Sequence, residues 1–161
     1  MNYKNIGLCI VTYNRPHYFE QCLKALGDNR RDLNYIVIVN DGTPYTGINI
    51  PDWVNDHIQL GSNKSVGVAK NVGMRALMQA GMEHIFIMED DMILKSPDIF
   101  NQYISTATSS GIFHLNYALH GPANKVPNTD TPNTRQIVDY GDVKVVLYPH
   151  CVGAFTYFHR G

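Results

Sequence analysis

Three short apolar runs, each cut off by polar residues, constrain this chain more than anything else in it. Ile6-Gly7-Leu8-Cys9-Ile10-Val11 stops at Thr12-Tyr13-Asn14-Arg15. Tyr35-Ile36-Val37-Ile38-Val39 stops at Asn40-Asp41-Gly42, and His84-Ile85-Phe86-Ile87-Met88 stops at Glu89-Asp90-Asp91. Runs this short and this continuous read as strands buried on both faces. Helical periodicity lies between them. After Pro16, which suits the first turn of a helix, Phe19, Cys22, Leu23 and Leu26 share one face, and Gly27 is the expected end. Val68, Val72, Ala76, Leu77 and Ala80 form a second stripe ended by Gly81. A brief further strand is expected around residues 57–60. Buried strands alternating with amphipathic helices predict an α/β fold with a mainly parallel, doubly wound sheet flanked by helices. The polar strand ends then gather along the carboxyl edge, where such folds bind ligands.

The chain changes character after residue 95. Ser96-Pro97-Asp98 reads as an N-cap followed by a first-turn proline, opening a helix to about Thr108. Extra C-terminal strands are expected at residues 112–119, 135–138 and 143–148, the last two joined by Tyr140-Gly141-Asp142. Residues 121–134, rich in Pro, Asn and Thr, read as a polar loop, and residues 152–158 as a last apolar, aromatic strand. Composition narrows the function classes. With 44% hydrophobic and 17% charged residues the chain is an ordinary globular one. Its net charge of -1 provides no general basic field for nucleic acid. The three cysteines, Cys9, Cys22 and Cys151, contain no Cys-x-x-Cys pair, so a reducing, cytoplasmic setting is expected and a structural zinc is not. No apolar stretch reaches the ~20 residues of a membrane span, and residues 6–11 are too short a run for a secretory leader.

The acidic cluster carries the sharpest chemical signal. Glu89, Asp90 and Asp91 repel one another at the end of a buried strand unless water or a cation screens them. Hard oxygen ligands suit Mg2+ or Mn2+, which takes one or two carboxylates together with substrate phosphates. A solvated turn explains three acids about as well when they are taken alone. Asn40-Asp41-Gly42-Thr43 is equally a common turn and a place for a carboxylate to accept hydrogen bonds from a base or ribose. Tyr13 can stack on a planar base and Arg15 can reach a phosphate, while Asn14 and Pro16 suit helix entry. Lys70 and Asn71 lie near the start of the second helix, where phosphate is favoured. His150 and His159 lack partners at metal-ligand spacing and read as surface or core residues. Trp53 reads as packing.

These patches, in this order, resemble the glycosyltransferase A fold and in particular family 2-like glycosyltransferases. Ile10-Val11-Thr12-Tyr13-Asn14-Arg15-Pro16 resembles the family's opening strand and turn. Val37-Ile38-Val39-Asn40-Asp41-Gly42-Thr43 resembles the second strand, which usually ends Asp-Asp-Gly-Ser. Residues 67–73 resemble its Gly-x-x-x-Ala-Arg-Asn-x-Gly segment, and Ile87-Met88-Glu89-Asp90-Asp91 the strand bearing Asp-x-Asp. The Glu-Asp-Asp segment also resembles N-acetylglucosaminyltransferases of this fold. The resemblance implies a metal-dependent transfer of sugar from a nucleoside diphosphate sugar, usually UDP-linked, to an acceptor hydroxyl. It implies that Thr12, Tyr13, Arg15 and Asp41 hold the nucleoside, that Lys70 and Asn71 assist donor binding, and that Glu89 and Asp90 meet ribose, sugar or metal-bound water. Asp91, with Glu89, is implied to ligate Mn2+ or Mg2+. Gly153-Ala154-Phe155 and Arg160 resemble a later segment near donor sugar and acceptor.

On this reading the chain is one glycosyltransferase-like domain, 1–161, with a nucleotide-sugar-binding half at 1–95 and a partial acceptor half at 96–161. Asn40 and Glu89 each stand where the family has Asp, and Lys70 where it has Arg. Family members continue beyond the position of Gly161, and their catalytic base lies there. No acidic residue follows Asp142, so no base is nominated. Three explanations are open: a fragment, a partner that supplies the missing acceptor part, or a short enzyme that works differently. A nucleotide-sugar-binding module without turnover is the competing reading. A nucleotidyltransferase ranks below it, because the first turn lacks a Gly-rich loop.

Overall fold

The computed structural model describes residues 3–117, 136–147 and 153–161. Its elements run β1 (Ile6–Thr12), α1 (Pro16–Asn29), β2 (Tyr35–Asn40), β3 (Asp56–Gln59), α2 (Val66–Gln79), β4 (His84–Glu89), α3 (Ile99–Ser110), β5 (His114–Asn116), β6 (Gln136–Asp139), β7 (Lys144–Leu147) and β8 (Phe155–His159). Six strands form one sheet in the order β3-β2-β1-β4-β8-β5, and β6 and β7 form a separate antiparallel pair. The expected α/β architecture is therefore present. β1, β2, β3 and β4 are mutually parallel, and β8 runs against both β4 and β5.

The pleat explains the layering. Ile6, Leu8 and Ile10 point to one face and meet Phe19, Leu23 and Leu26 of α1 and Phe100 and Ile104 of α3. Cys9 and Val11 point to the other face and meet Ala69 and Leu77 of α2. Both faces of the central strands are covered, so all seven residues of β1 are buried. Burial also silences the thiols: it pushes Cys9 and Cys22 up to about 12, and both are free cysteines. Among the described residues no helix is long and apolar enough to cross a membrane.

Several local expectations are corrected. α1 passes Gly27 and ends at Asn29, whose side-chain amide donates to Ala25 O at 2.8 Å and to Leu94 O at 3.1 Å. That tertiary anchor outweighs the local glycine signal. Asn14 does not cap α1. It has φ 51, and Arg15 takes the cap position without a side-chain cap bond. Ser96 does not cap α3 either. Its hydroxyl accepts from Asp98 N–H at 3.2 Å, Pro97 falls in the turn, and the helix starts at Ile99. Among the described residues the strand expected at 112–119 is His114–Asn116, and residues 118–119 lie outside them; the turn at 140–142 does join β6 to β7, with Gly141 at φ 85. The loop expected at 121–134, His150 and Cys151 lie outside the described residues.

Gly73 shows how closely α2 approaches the sheet. A β-carbon there would collide with Cys9 Sγ and lie 3.0 Å from Cys9 Cβ and 3.3 Å from Val39 Cγ2. Gly73→Ala should therefore cost about 1–3 kcal/mol through overpacking. In a thermal melt its midpoint should fall by several degrees; an unchanged midpoint would mean that α2 shifts freely.

Candidate active site

The order of strand addition creates the site. From β1 the chain adds β2 and then β3 on one side, and returns to place β4 on the other. The strand order thus reverses between β1 and β4, and in open α/β sheets the carboxyl ends at such a reversal are where ligands bind. Backbone bonds hold its floor: Asp41 N–H donates to Thr12 O at 2.9 Å, and Asp90 N–H to Val11 O at 3.2 Å.

The three acids do not share one environment. Asp90 is fully buried. Its Oδ2 accepts from Thr12 Oγ1 at 2.5 Å, and its Oδ1 lies 2.5 Å from Arg15 Nη2. That second approach is an ion pair by distance, but its angles do not make a hydrogen bond, so Oδ1 stays unsatisfied in the hydrogen-bond sense. Burial pushes the Asp90 carboxyl up, against the opposing pull of Thr12 and Arg15. Asp91 is half-exposed and accepts from Arg15 Nη1 at 3.0 Å. Burial works against the Arg15 charge, but Asp90 and Asp91 outweigh it and hold the guanidinium more firmly protonated than usual. Glu89 pairs with Lys70, whose Nζ lies 2.5 Å from Glu89 Oε1 and also donates to Gly153 O at 2.7 Å.

The second strand supplies a shaped turn. Asn40 donates from its amide to Thr43 O at 3.0 Å and accepts from Gly42 N–H at 2.9 Å. An Asp could do only the second, which gives the Asn at this position a structural reason. Asp41 is buried and accepts from Lys64 N–H at 2.7 Å. Tyr13 is 40% exposed and sits against Gly42, where a β-carbon would lie 3.1 Å from its ring. Asn71 is exposed on α2.

Comparison with known proteins gives this arrangement a fold name. No protein-family profile matches the chain. A protein of Bacillus subtilis (strain 168), "Putative glycosyltransferase EpsH", is 28% identical over 139 residues, 81% of this chain and 39% of its own length. Residues 1–349 of S. aureus TarS superpose with a TM-score of 0.57 at 19% identity, over 77% of this chain and 38% of that one. The mannosyltransferase PcManGT of Pyrobaculum calidifontis, solved with GDP-Man and Mn2+, superposes with a TM-score of 0.58 at 17% identity, over 74% and 36%. This chain has a glycosyltransferase A fold. It spans 36% to 39% of the length of these three relatives.

In the glycosyltransferase A frame, Thr12, Arg15, Asp90 and Asp91 meet directly, and Glu89 and Lys70 form a neighbouring pair. Gly153 and Ala154 also reach this edge, since Ala154 O accepts from Glu89 N–H at 2.9 Å. Arg160 does not. It donates to Met78 O at 2.9 Å, and its N–H bonds Glu83 O beside the amino end of β4. His159 pairs in register with His84 at that same end, away from the carboxylates. Among the described residues, no three His, Cys, Asp or Glu side chains gather in a metal-holding group. What the site offers is one open carboxylate, Asp91, which suits an ion shared with substrate phosphates rather than a closed protein cage.

Sequence reasoning missed Tyr45. Its hydroxyl lies 2.7 Å from Thr12 Oγ1 and accepts from Arg15 N–H at 3.0 Å, and its ring packs on Phe19 at 5.5 Å. No motif flags it, because only the folded loop after β2 brings it to β1. Tyr45→Phe should cost about 1–2 kcal/mol, readable by denaturant unfolding, with its ring packing retained. Asp90 yields a pH test. Its folded-state value is raised above the ordinary 3.8, so its contribution to stability is complete below that value and is lost as the pH rises through the folded one. Wild type should therefore lose stability relative to Asp90→Asn over that rise; parallel stability curves would show that Arg15 cancels the burial.

Proposed function

We propose that this chain binds a nucleoside diphosphate sugar at the crevice between β1 and β4 and is the donor half of a metal-dependent glycosyltransferase. The observation that carries the reading is the joining of Thr12, Arg15, Asp90 and Asp91 at the topological switch point of a glycosyltransferase A sheet. Thr12, Tyr13, Arg15 and Asp41 would hold the nucleoside. Tyr13 offers an exposed ring beside the Asp41-Gly42 turn, a suitable platform for a base. Lys70 and Asn71 border the diphosphate region. Asp91, assisted by Glu89, would hold Mn2+ or Mg2+, which would neutralise charge on the departing diphosphate when bound. Asp90, locked below by Thr12, keeps Arg15 aimed at the crevice. Residues 1–95 form the donor half and 96–161 a part of the acceptor half. The acceptor is a hydroxyl compound. The buried, free Cys9 and Cys22 agree with a reducing, cytoplasmic setting.

The family resemblance points to a UDP-linked donor. The mannosyltransferase of like fold was solved with GDP-Man, so both bases belong in the test. Thermal unfolding of the chain with UDP or GDP, with and without Mn2+, measures donor binding. A ligand at a hundredfold excess over Kd stabilises the folded state by about 2.7 kcal/mol. One diphosphate should raise the melting midpoint only when Mn2+ is present, and Asp91→Ala should abolish the rise. No shift with either nucleotide would overturn the donor-site reading.

A further inference from the structure

A cleft of about 720 Å³ lies on the side of the molecule away from Glu89, Asp90 and Asp91. Tyr3 and Asp32 line it, and each comes just before a parallel strand, β1 and β2 respectively. The cleft therefore opens at the amino ends of strands whose carboxyl ends form the donor crevice. Its other wall is the first part of α3, with Asn101, Gln102 and Ser105. The volume is that of a small-molecule site, within about 300–1,000 Å³.

Part of the lining is held by contacts within the fold. Asn101 donates to Asp32 Oδ2 at 2.7 Å, and Arg31 bridges to Asp98 across the mouth. Tyr3 packs edge-on against His84 with ring centroids 5.7 Å apart. Ordering Asn101, Asp32 and Tyr3 costs little on binding, because these contacts already hold them. Their chemistry selects the occupant. Arg31 faces both Asp32 and Asp98, so the titratable lining carries one net negative charge and disfavours phosphate. What remains is an aromatic ring beside planar amides, a hydroxyl and carboxylates. Such a set pairs one apolar ring face with many hydrogen bonds to a neutral ligand rich in hydroxyls. We propose that this cleft binds a neutral saccharide, separately from the nucleotide, and so tethers a glycan to the back of the sheet.

The test is calorimetric titration of the whole chain with three neutral trisaccharides, maltotriose, cellotriose and chitotriose. At least one should bind. Tyr3→Ala and the cleft-filling Ser105→Trp should each weaken it by about tenfold or more, equivalent to about 1.4 kcal/mol. Tyr3→Phe should retain binding, and circular dichroism should show all three variants folded. Asp91→Ala and saturating UDP should leave the affinity unchanged. Failure of all three sugars to bind would overturn the proposal. So would binding that survives Ser105→Trp but disappears in Asp91→Ala, since the sugar would then sit in the donor crevice. Saccharide binding without binding of UDP or GDP in the presence of Mn2+ would sink the donor reading and leave this one standing.

Discussion

A buried carboxylate needs a counter-charge, and Arg15 supplies it to Asp90. Continuing the apolar strand β4 into Glu89, Asp90 and Asp91 puts like charges at the end of a water-excluding core. The fold manages this by giving each acid a different partner. Asp90 goes inward to Thr12 and Arg15, Asp91 outward to the other arm of the same guanidinium, and Glu89 sideways to Lys70. A lysine in place of Arg15 could not span two carboxylates with a planar fork. Because β1 and β4 are parallel neighbours, their carboxyl ends adjoin and one side chain serves both.

The central architecture was legible because hydrophobic burial writes itself directly into sequence. Ile6 to Val11 and Ile85 to Met88 are apolar at every register position, as strands covered on both faces require. The grouping of Thr12, Arg15, Asp90 and Asp91 followed from topology alone, since parallel strands place their exits on one edge. What failed to show was decided by tertiary contacts. Asn29 extends α1 beyond a glycine because its amide binds the carbonyl of Leu94, a partner 65 residues away that no local pattern reveals. Tyr45 lies 33 residues from Thr12, and no pattern within its own loop announces the meeting. Arg160 went astray for a related reason: an antiparallel strand entering at the ligand edge carries its far end to the opposite one.

Charge placement divides the molecule into two unlike ends. At the carboxyl edge, Arg15 pairs with Asp90 and Asp91, and Lys70 pairs with Glu89. At the amino edge, the ionic groups close on one another, as Arg31 does with Asp98, and leave amides and an aromatic ring as the recognition surface. The same sheet separates these chemistries by its own length, so neither field dominates the other.

β8 is the one strand of the main sheet that points the other way, and this reversal enlarges what can shape the crevice. In a wholly parallel sheet, only segments leaving strands reach the ligand rim. Here a segment arriving at a strand does so too, bringing the Gly153 carbonyl onto Lys70 and that of Ala154 onto the Glu89 amide. These anchors are backbone carbonyls, yet Gly153 itself is constrained, since a β-carbon there would lie 2.8 Å from Lys70 Nζ. The register of β8 on β4 is thus tied to the Lys70–Glu89 pair, because the same lysine that neutralises Glu89 reads the backbone at the start of β8.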